Sequence, residues 1–172
     1  MPGHKINIIV ARSQNNVIGY KGITPWGRSL RSDLKHFQKT TERKIVVVGR
    51  VTAQSIIAEL GKPLPNRRTV VLSTDRTLKI GGCEVYNSPK HIIKLFAKEE
   101  MWIIGGGEIY KLFMPYASKM LITEVEYDFE GDTFFPEISD EWNKRILRRV
   151  EADEQNNYPF SIVQYTRRPP RL

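Results

Sequence analysis

The chain has 172 residues, 40% apolar and 27% charged, with a formal net charge of +8 from 27 Lys and Arg against 19 Asp and Glu. It is long enough for one domain with a substantial core, and no apolar run approaches the roughly 20 residues that span a bilayer. The run Ile6–Val10 is too short for a signal-peptide core and no small-residue cleavage site follows it, so the chain reads as cytosolic.

A single cysteine, Cys83, excludes an intrachain disulfide and reads as a small packing residue. The basic doublets Arg67-Arg68, Arg148-Arg149 and Arg167-Arg168 are dispersed and not interleaved with aromatics. That pattern argues against nucleic-acid binding as the main role and suits the steering of small anions.

In chain order, Lys5 to Ala11 reads as a buried first strand and Ser13 to Trp26 as a long polar, Gly-bearing binding loop. A helix around Asp33 follows, with Ser29 as its expected cap. The β-branched run Ile45 to Val48 has the pattern of a central strand covered on both faces. A helix is expected from about Thr52, a strand over Thr69 to Leu72, a short strand over Glu84 to Tyr86, and a helix from Pro89. Met101 to Ile104 is a further buried strand, followed by Gly105-Gly106-Gly107 and a helix from Glu108 to about Met114. Met120 to Val125 reads as strand and Tyr127 to Asp140 as loop. Trp142 to Val150 and Phe160 to Arg167 read as a closing antiparallel pair, and 168–172 as a frayed tail. Alternating strands and helices imply an α/β domain with a mainly parallel sheet and an antiparallel edge. No repeat or linker divides it.

Leu30, Leu34 and Phe37 fall on one helical face at i, i+4 and i+7, and Asp33 lies in that stripe. A carboxylate in a core position must either pair or shift its pKa. Taken alone, a structural role, pairing with an arginine or capping a backbone, is favoured over a ligand-facing acid. Two strand-glycine-helix junctions, Val48-Gly49-Arg50-Val51-Thr52 and Ile104-Gly105-Gly106-Gly107-Glu108, suit close backbone approach to an anionic ligand beyond the carboxyl ends of the strands. The dinucleotide and phosphate-loop fingerprints are missing, because position 110 is Tyr and no Gly-Lys-Ser/Thr occurs. No His pair has metal-ligand spacing, so no metal site is expected, and His4, His36 and His91 read as isolated surface residues.

These residues together resemble dihydrofolate reductases, from Ile6 to about Tyr165. The motifs are Val17-Ile18-Gly19, Pro25-Trp26, Asp33-Leu34 with Phe37, Gly49 to Thr52, Pro63-Leu64-Pro65-Asn66-Arg67, Leu72-Ser73, Ile104 to Tyr110, Thr123 and Gly131 to Pro136. Each is weak alone, and their joint order is highly specific. The resemblance implies an eight-stranded mixed, mostly parallel sheet with four helices, a cofactor adenosine-binding subdomain over about 46–101, and a cytoplasmic monomer. It implies hydride transfer from NADPH to 7,8-dihydrofolate, supporting one-carbon metabolism and thymidylate synthesis, and sensitivity to antifolates.

The resemblance also implies site roles. Asp33 would hydrogen-bond the pterin and favour protonation at N5, with Trp26, Tyr110 and Thr123 as the other catalytic positions. Ile9, Leu34, Phe37, Ile56, Leu64 and Ile104 would wall the substrate, and Arg67 would pair with its glutamate carboxylate. Ala11 and Ile18 would contact the nicotinamide amide. Gly49, Arg50, Thr52, Gly106, Gly107 and Glu108 would surround the diphosphate, with Arg50 and Thr74 at the 2′-phosphate. Gly19, Ser73, Gly105 and Ile109 complete the cofactor positions. A cis bond is implied at Gly105-Gly106, and a lid over Asn15 to Trp26 latched by Gly131-Asp132.

The sequence departs from the family pattern at Thr24, at Val51, at Asp75 beside the 2′-phosphate position, and in two extra residues before Asp33. Two alternatives are a same-fold pyrimidine reductase of riboflavin synthesis and a non-catalytic binding component. Asp33 with Leu34 and Phe37 argues against the first; intact Asp33, Trp26 and both glycine junctions argue against the second.

Overall fold

A computed structural model of the chain describes residues 5–168. Ten strands and four helices follow in the order β1 (Ile6–Ser13), β2 (Val17–Gly19), α1 (Arg31–Thr41), β3 (Ile45–Gly49), α2 (Arg50–Leu60), β4 (Arg68–Leu72), β5 (Cys83–Tyr86), α3 (Pro89–Leu95), β6 (Met101–Gly105), α4 (Gly107–Phe113), β7 (Lys119–Val125), β8 (Thr133–Phe134), β9 (Trp142–Val150) and β10 (Phe160–Arg167). A 3₁₀ turn, Met114–Tyr116, follows α4. Eight strands form one sheet in the order β5-β4-β3-β6-β1-β7-β10-β9. Pairings from β5 through β7 are parallel, and β10 runs antiparallel to both β7 and β9. This is the expected mixed sheet with an antiparallel edge and four helices.

The β-branched runs sit where their chemistry requires. All five residues of β3 are buried, because helices cover both faces of the parallel half. By contrast β9, at the sheet edge, is exposed over most of its length. The main core gathers Ile8, Val47, Val70, Ile103, Phe113, Ile122 and Val163.

Four sequence expectations are corrected. The polar loops 13–26 and 127–140 are not wholly irregular: β2 from the first pairs antiparallel with β8 from the second. Ser29 does not cap α1; its hydroxyl donates to Trp26 O at 2.6 Å. The second helix begins at Arg50, not near Thr52. His36 is not a free surface residue: its Nε2 is buried without a partner among the described residues. His91 is exposed as expected, and His4 lies outside the described residues. Of the expected tail, Arg168 is held, donating from its backbone N–H to Glu141 O at 2.7 Å, and 169–172 lie outside the described residues. No helix among the described residues is long and apolar enough to cross a membrane.

Candidate active site

A cleft of about 550 Å³ opens at the carboxyl ends of β1, β3 and β6, where open α/β sheets bind ligands. Between β3 and β6 the register slips: Val47 pairs with Ile103 and Val48 with Gly105, which leaves Ile104 as an extra residue. Such a bulge re-aims the chain beside a site. Here it turns Ile104 into the cleft and sets Gly105 at φ +120°, where a side chain is disfavoured and a Cβ would meet the Tyr110 hydroxyl at 3.2 Å. The Gly105-Gly106 peptide bond is cis.

Asp33 lies in the first turn of α1. Two groups from the far end of the chain hold that turn. Arg31 N donates to Gln155 O at 3.1 Å, and Ser32 N donates to Asn156 Oδ1 at 3.0 Å. Asn156 is 1% exposed, and its side-chain amide donates to Ser32 Oγ and to Asp153 Oδ1, both at 3.1 Å. So the segment that aims Asp33 is capped from a loop more than 120 residues away. The sequence shows Asp153 to Asn157 only as a polar turn; no signal in it marks α1 as the partner.

Among the described residues the Asp33 carboxylate accepts one hydrogen bond, from Thr123 Oγ1 at 2.5 Å. Burial against the apolar wall pushes its pKa up from 3.8 to about 6, and the Thr123 hydroxyl opposes part of that rise. No ion pair involving Asp33 occurs among the described residues, so the structural reading of this acid is not borne out. Thr123 itself sits on β7, opposite Ala11 of β1.

Most expected site residues converge on this cleft. Ile9, Ala11, Trp26, Leu34, Phe37, Ile104, Tyr110 and Thr123 line it with Asp33. Ile18, Gly19, Gly49, Thr52, Gly105, Gly106, Gly107, Glu108 and Ile109 line its other end. Trp26 is buried and meets Phe129 edge-on at 5.5 Å between ring centroids. Tyr110 is buried too; its hydroxyl donates to Ile9 O at 2.9 Å, and burial holds it well above the usual phenol range. Ile56, Leu64 and Arg67 line an adjoining trough, which shares Leu34, His36 and Phe37 with the cleft. Arg50, Ser73 and Thr74 lie outside both, beyond the carboxyl ends of the neighbouring strands β3 and β4. There Asp75 is turned into its own loop, accepting from Thr77 N at 2.9 Å and Thr77 Oγ1 at 2.7 Å, and these bonds hold it below the usual carboxylate range.

The loop 15–26 is tied to the segment 131–135 at several points. Asp132 accepts from Lys21 N at 3.0 Å, Asp132 N donates to Gly19 O at 3.0 Å, and Asn16 Nδ2 donates to Phe135 O at 2.8 Å.

The glycine junctions suit an extended, phosphate-bearing cofactor. A Cβ at Gly49 would come within 2.9 Å of Ile109 Cγ1, at Gly106 within 3.3 Å of Thr52 Oγ1, and at Gly107 within 3.1 Å of Thr133 Cγ2. Bare backbone therefore lines the cleft at these positions, beside the Thr52 hydroxyl. One cleft thus joins an acid raised toward neutrality with a stretch of glycine backbone at the strand ends, an arrangement suited to a nucleotide-dependent enzyme.

A profile described as dihydrofolate reductase matches residues 5–167. The dihydrofolate reductase of Staphylococcus haemolyticus is 36% identical over 165 residues, covering 95% of this chain and 96% of that protein. That of Haemophilus influenzae is 36% identical over 165 residues, covering 94% and 98%. A solved structure of the Enterococcus faecalis enzyme, complexed with NADP(H) and RAB-propyl, superposes with a TM-score of 0.85 at 34% identity, covering 94% and 95%. The chain belongs to the dihydrofolate reductase family, whose members are NADP-dependent oxidoreductases.

Proposed function

We propose that this chain reduces 7,8-dihydrofolate to 5,6,7,8-tetrahydrofolate with NADPH through the cleft around Asp33, acting as a monomer in the cytoplasm. The observation that carries the assignment of roles is Asp33 itself: an unpaired carboxylate in an apolar wall, held by Thr123 and pushed up to about 6. In that low-dielectric setting a pterin's 2-amino and N3–H donors gain more from a carboxylate than they would in water. When bound, NADPH supplies the hydride.

The protein's own residues supply the rest. Asp33 orients the pterin and favours protonation at N5. Thr123 orients Asp33. Ile9, Leu34, Phe37 and Ile104 exclude water from the rings, and Ile56 and Leu64 continue that wall toward the tail. Trp26 holds the lid, whose closure excludes water from the reacting atoms. Tyr110 acts as a positioning residue that fixes β1 against Gly105, because its hydroxyl is already donated to Ile9 O.

Arg67 is pre-set for a carboxylate. Its three guanidinium nitrogens donate to Thr41 Oγ1, Pro65 O and Gln38 O at 3.1, 2.6 and 2.6 Å, and the planar fork keeps further N–H groups for a ligand. Backbone at Ala11 and Ile18 would meet the nicotinamide amide. Gly49, Thr52 and Gly105 to Glu108 would cradle the diphosphate, with Gly19 and Ile109 beside them. Arg50, Ser73 and Thr74 would hold the 2′-phosphate, and 46–101 would carry the adenosine. A protonated diaminopyrimidine antifolate would pair with Asp33 as the substrate does.

The test is NADPH oxidation on adding dihydrofolate, with wild type and Asp33→Asn in parallel. Turnover in wild type that falls at least about a hundredfold in the variant is expected, as for loss of a positioned acid-base group. Equal turnover in both would refute the role given to Asp33.

A further inference from the structure

On the sheet face turned away from the cleft, Arg12 joins segments that are far apart in the chain. Ala11 of β1 and Thr123 of β7 are partners in register, and both line the cleft. Successive side chains of a strand point to opposite faces, so the next pair, Arg12 and Glu124, lies directly behind them. There Arg12 Nη2 donates to Glu124 Oε1 at 2.9 Å and to the Tyr165 hydroxyl of β10 at 3.4 Å. That hydroxyl donates to the same carboxylate oxygen at 2.8 Å, and Lys144 Nζ of β9 lies 3.9 Å from the other.

The second arm of the guanidinium, Nη1, reaches the root of the loop 15–26 and donates to Asn16 Oδ1 at 3.3 Å. Asn16 has φ +67°, a conformation uncommon for any residue but glycine. Both ends of its amide are engaged, because Nδ2 donates to Phe135 O at 2.8 Å, and Phe135 N donates back to Asn16 O at 3.3 Å. A partly buried ion pair adds little stability over apolar packing of the same volume. What a guanidinium adds is a planar fork that serves two partners at once.

We propose that Arg12 is a positioning residue for hydride transfer: by holding Asn16 against Glu124 and Tyr165, it fixes the root of the loop 15–26 in register with the β1–β7 seam that carries Ala11 and Thr123. It acts through Asn16 and not by contact with a ligand. That role presupposes the loop 15–26 as the lid of an enzyme that reduces dihydrofolate.

The test sets Arg12→Lys and Asn16→Gly beside wild type. Lysine is a point charge on a flexible stem, which keeps the pair with Glu124 but cannot also serve Asn16. Glycine removes the Asn16 amide without strain at positive φ. Arg12→Lys is expected to unfold within about 2 °C of wild type, since the ion pair survives. Amide exchange over residues 15–24, read by mass spectrometry without ligand, should accelerate about fivefold, the change that loss of one hydrogen bond brings, with β3 and β6 unchanged. At saturating NADPH the single-turnover hydride rate should fall about fivefold, with the KM for dihydrofolate within about twofold. Asn16→Gly should reproduce at least these effects, and adding Arg12→Lys to it should change nothing further.

Wild-type exchange over 15–24 in Arg12→Lys would overturn the proposal. So would acceleration that is equal in β3 and β6, which marks global destabilisation, or effects of the two substitutions that add. Where Arg12→Lys fails to fold, Glu124→Gln weakens the same link from its far end, and exchange over 15–24 that does not rise by at least about twofold would overturn it as well. Absence of dihydrofolate turnover in wild type would instead overturn the assigned reaction and leave the exchange result standing, so the two failures are distinguishable.

Discussion

Asp33→Asn is expected to stabilise the ligand-free protein while it lowers turnover at least about a hundredfold. The carboxylate's pKa rises from 3.8 to about 6 because burial penalises its charged form. A shift of that size corresponds to a destabilisation of at most about 3 kcal/mol at neutral pH. Residual solvent access to the cleft lowers this to about 2 kcal/mol. Asn keeps the shape and keeps an oxygen to accept from Thr123, so the variant loses the cost and little else.

The sign follows from linkage. For an acid whose folded pKa is raised, the penalty is absent below 3.8, grows as pH rises toward 6, and is complete above it. The assay is thermal unfolding of both proteins across the range from about pH 4 to pH 8, without ligand. The variant's Tm should match wild type at the acid end and exceed it by about 4–8 °C at the neutral end. A neutral-pH Tm equal to or below wild type, or a gain independent of pH, would refute the reasoning.

Three further outcomes are expected. Thr123→Val removes the protein donor to Asp33 seen among the described residues and should raise the carboxyl pKa still further, read by carbon-detected NMR titration; an unchanged or lower pKa would contradict it. Asn156→Ala uncaps α1 and leaves buried partners unpaired, which should cost about 1–3 kcal/mol, lower the Tm by about 2–12 °C and raise the KM for dihydrofolate; a Tm within about 1 °C of wild type would contradict it. Gly131→Ala would drive a methyl group into Val17 Cγ1 and to 3.0 Å from Gly19 O, costing about 1–3 kcal/mol, and adding Val17→Ala should restore part of that stability in denaturant unfolding.

Much of this molecule is legible in its residue order. The runs Ile45–Val48 and Met101–Ile104 identify buried parallel strands because only residues covered on both faces can be so uniformly apolar. The glycine junctions and the acid in the Leu30, Leu34, Phe37 stripe are local patterns, and the structure brings them to one cleft. What the sequence alone does not decide depends on partners distant along the chain. The β2 and β8 segments are three and two residues long, too short to show a period, and become strands only by pairing with each other. Ser29 has the right chemistry and spacing for a cap, yet Asn156 takes the role, because tertiary packing brings its amide to Ser32. His36, with no second histidine at metal-ligand spacing, reads as an isolated surface residue; in the fold its Nε2 is buried, and that burial, with the Arg148 side chain of β9 nearby, disfavours its protonation. Residue types and spacing therefore determined the elements and the chemistry, whereas the caps, the lid contacts and the adjoining trough arise from contacts that exist only once the sheet order has brought distant segments together.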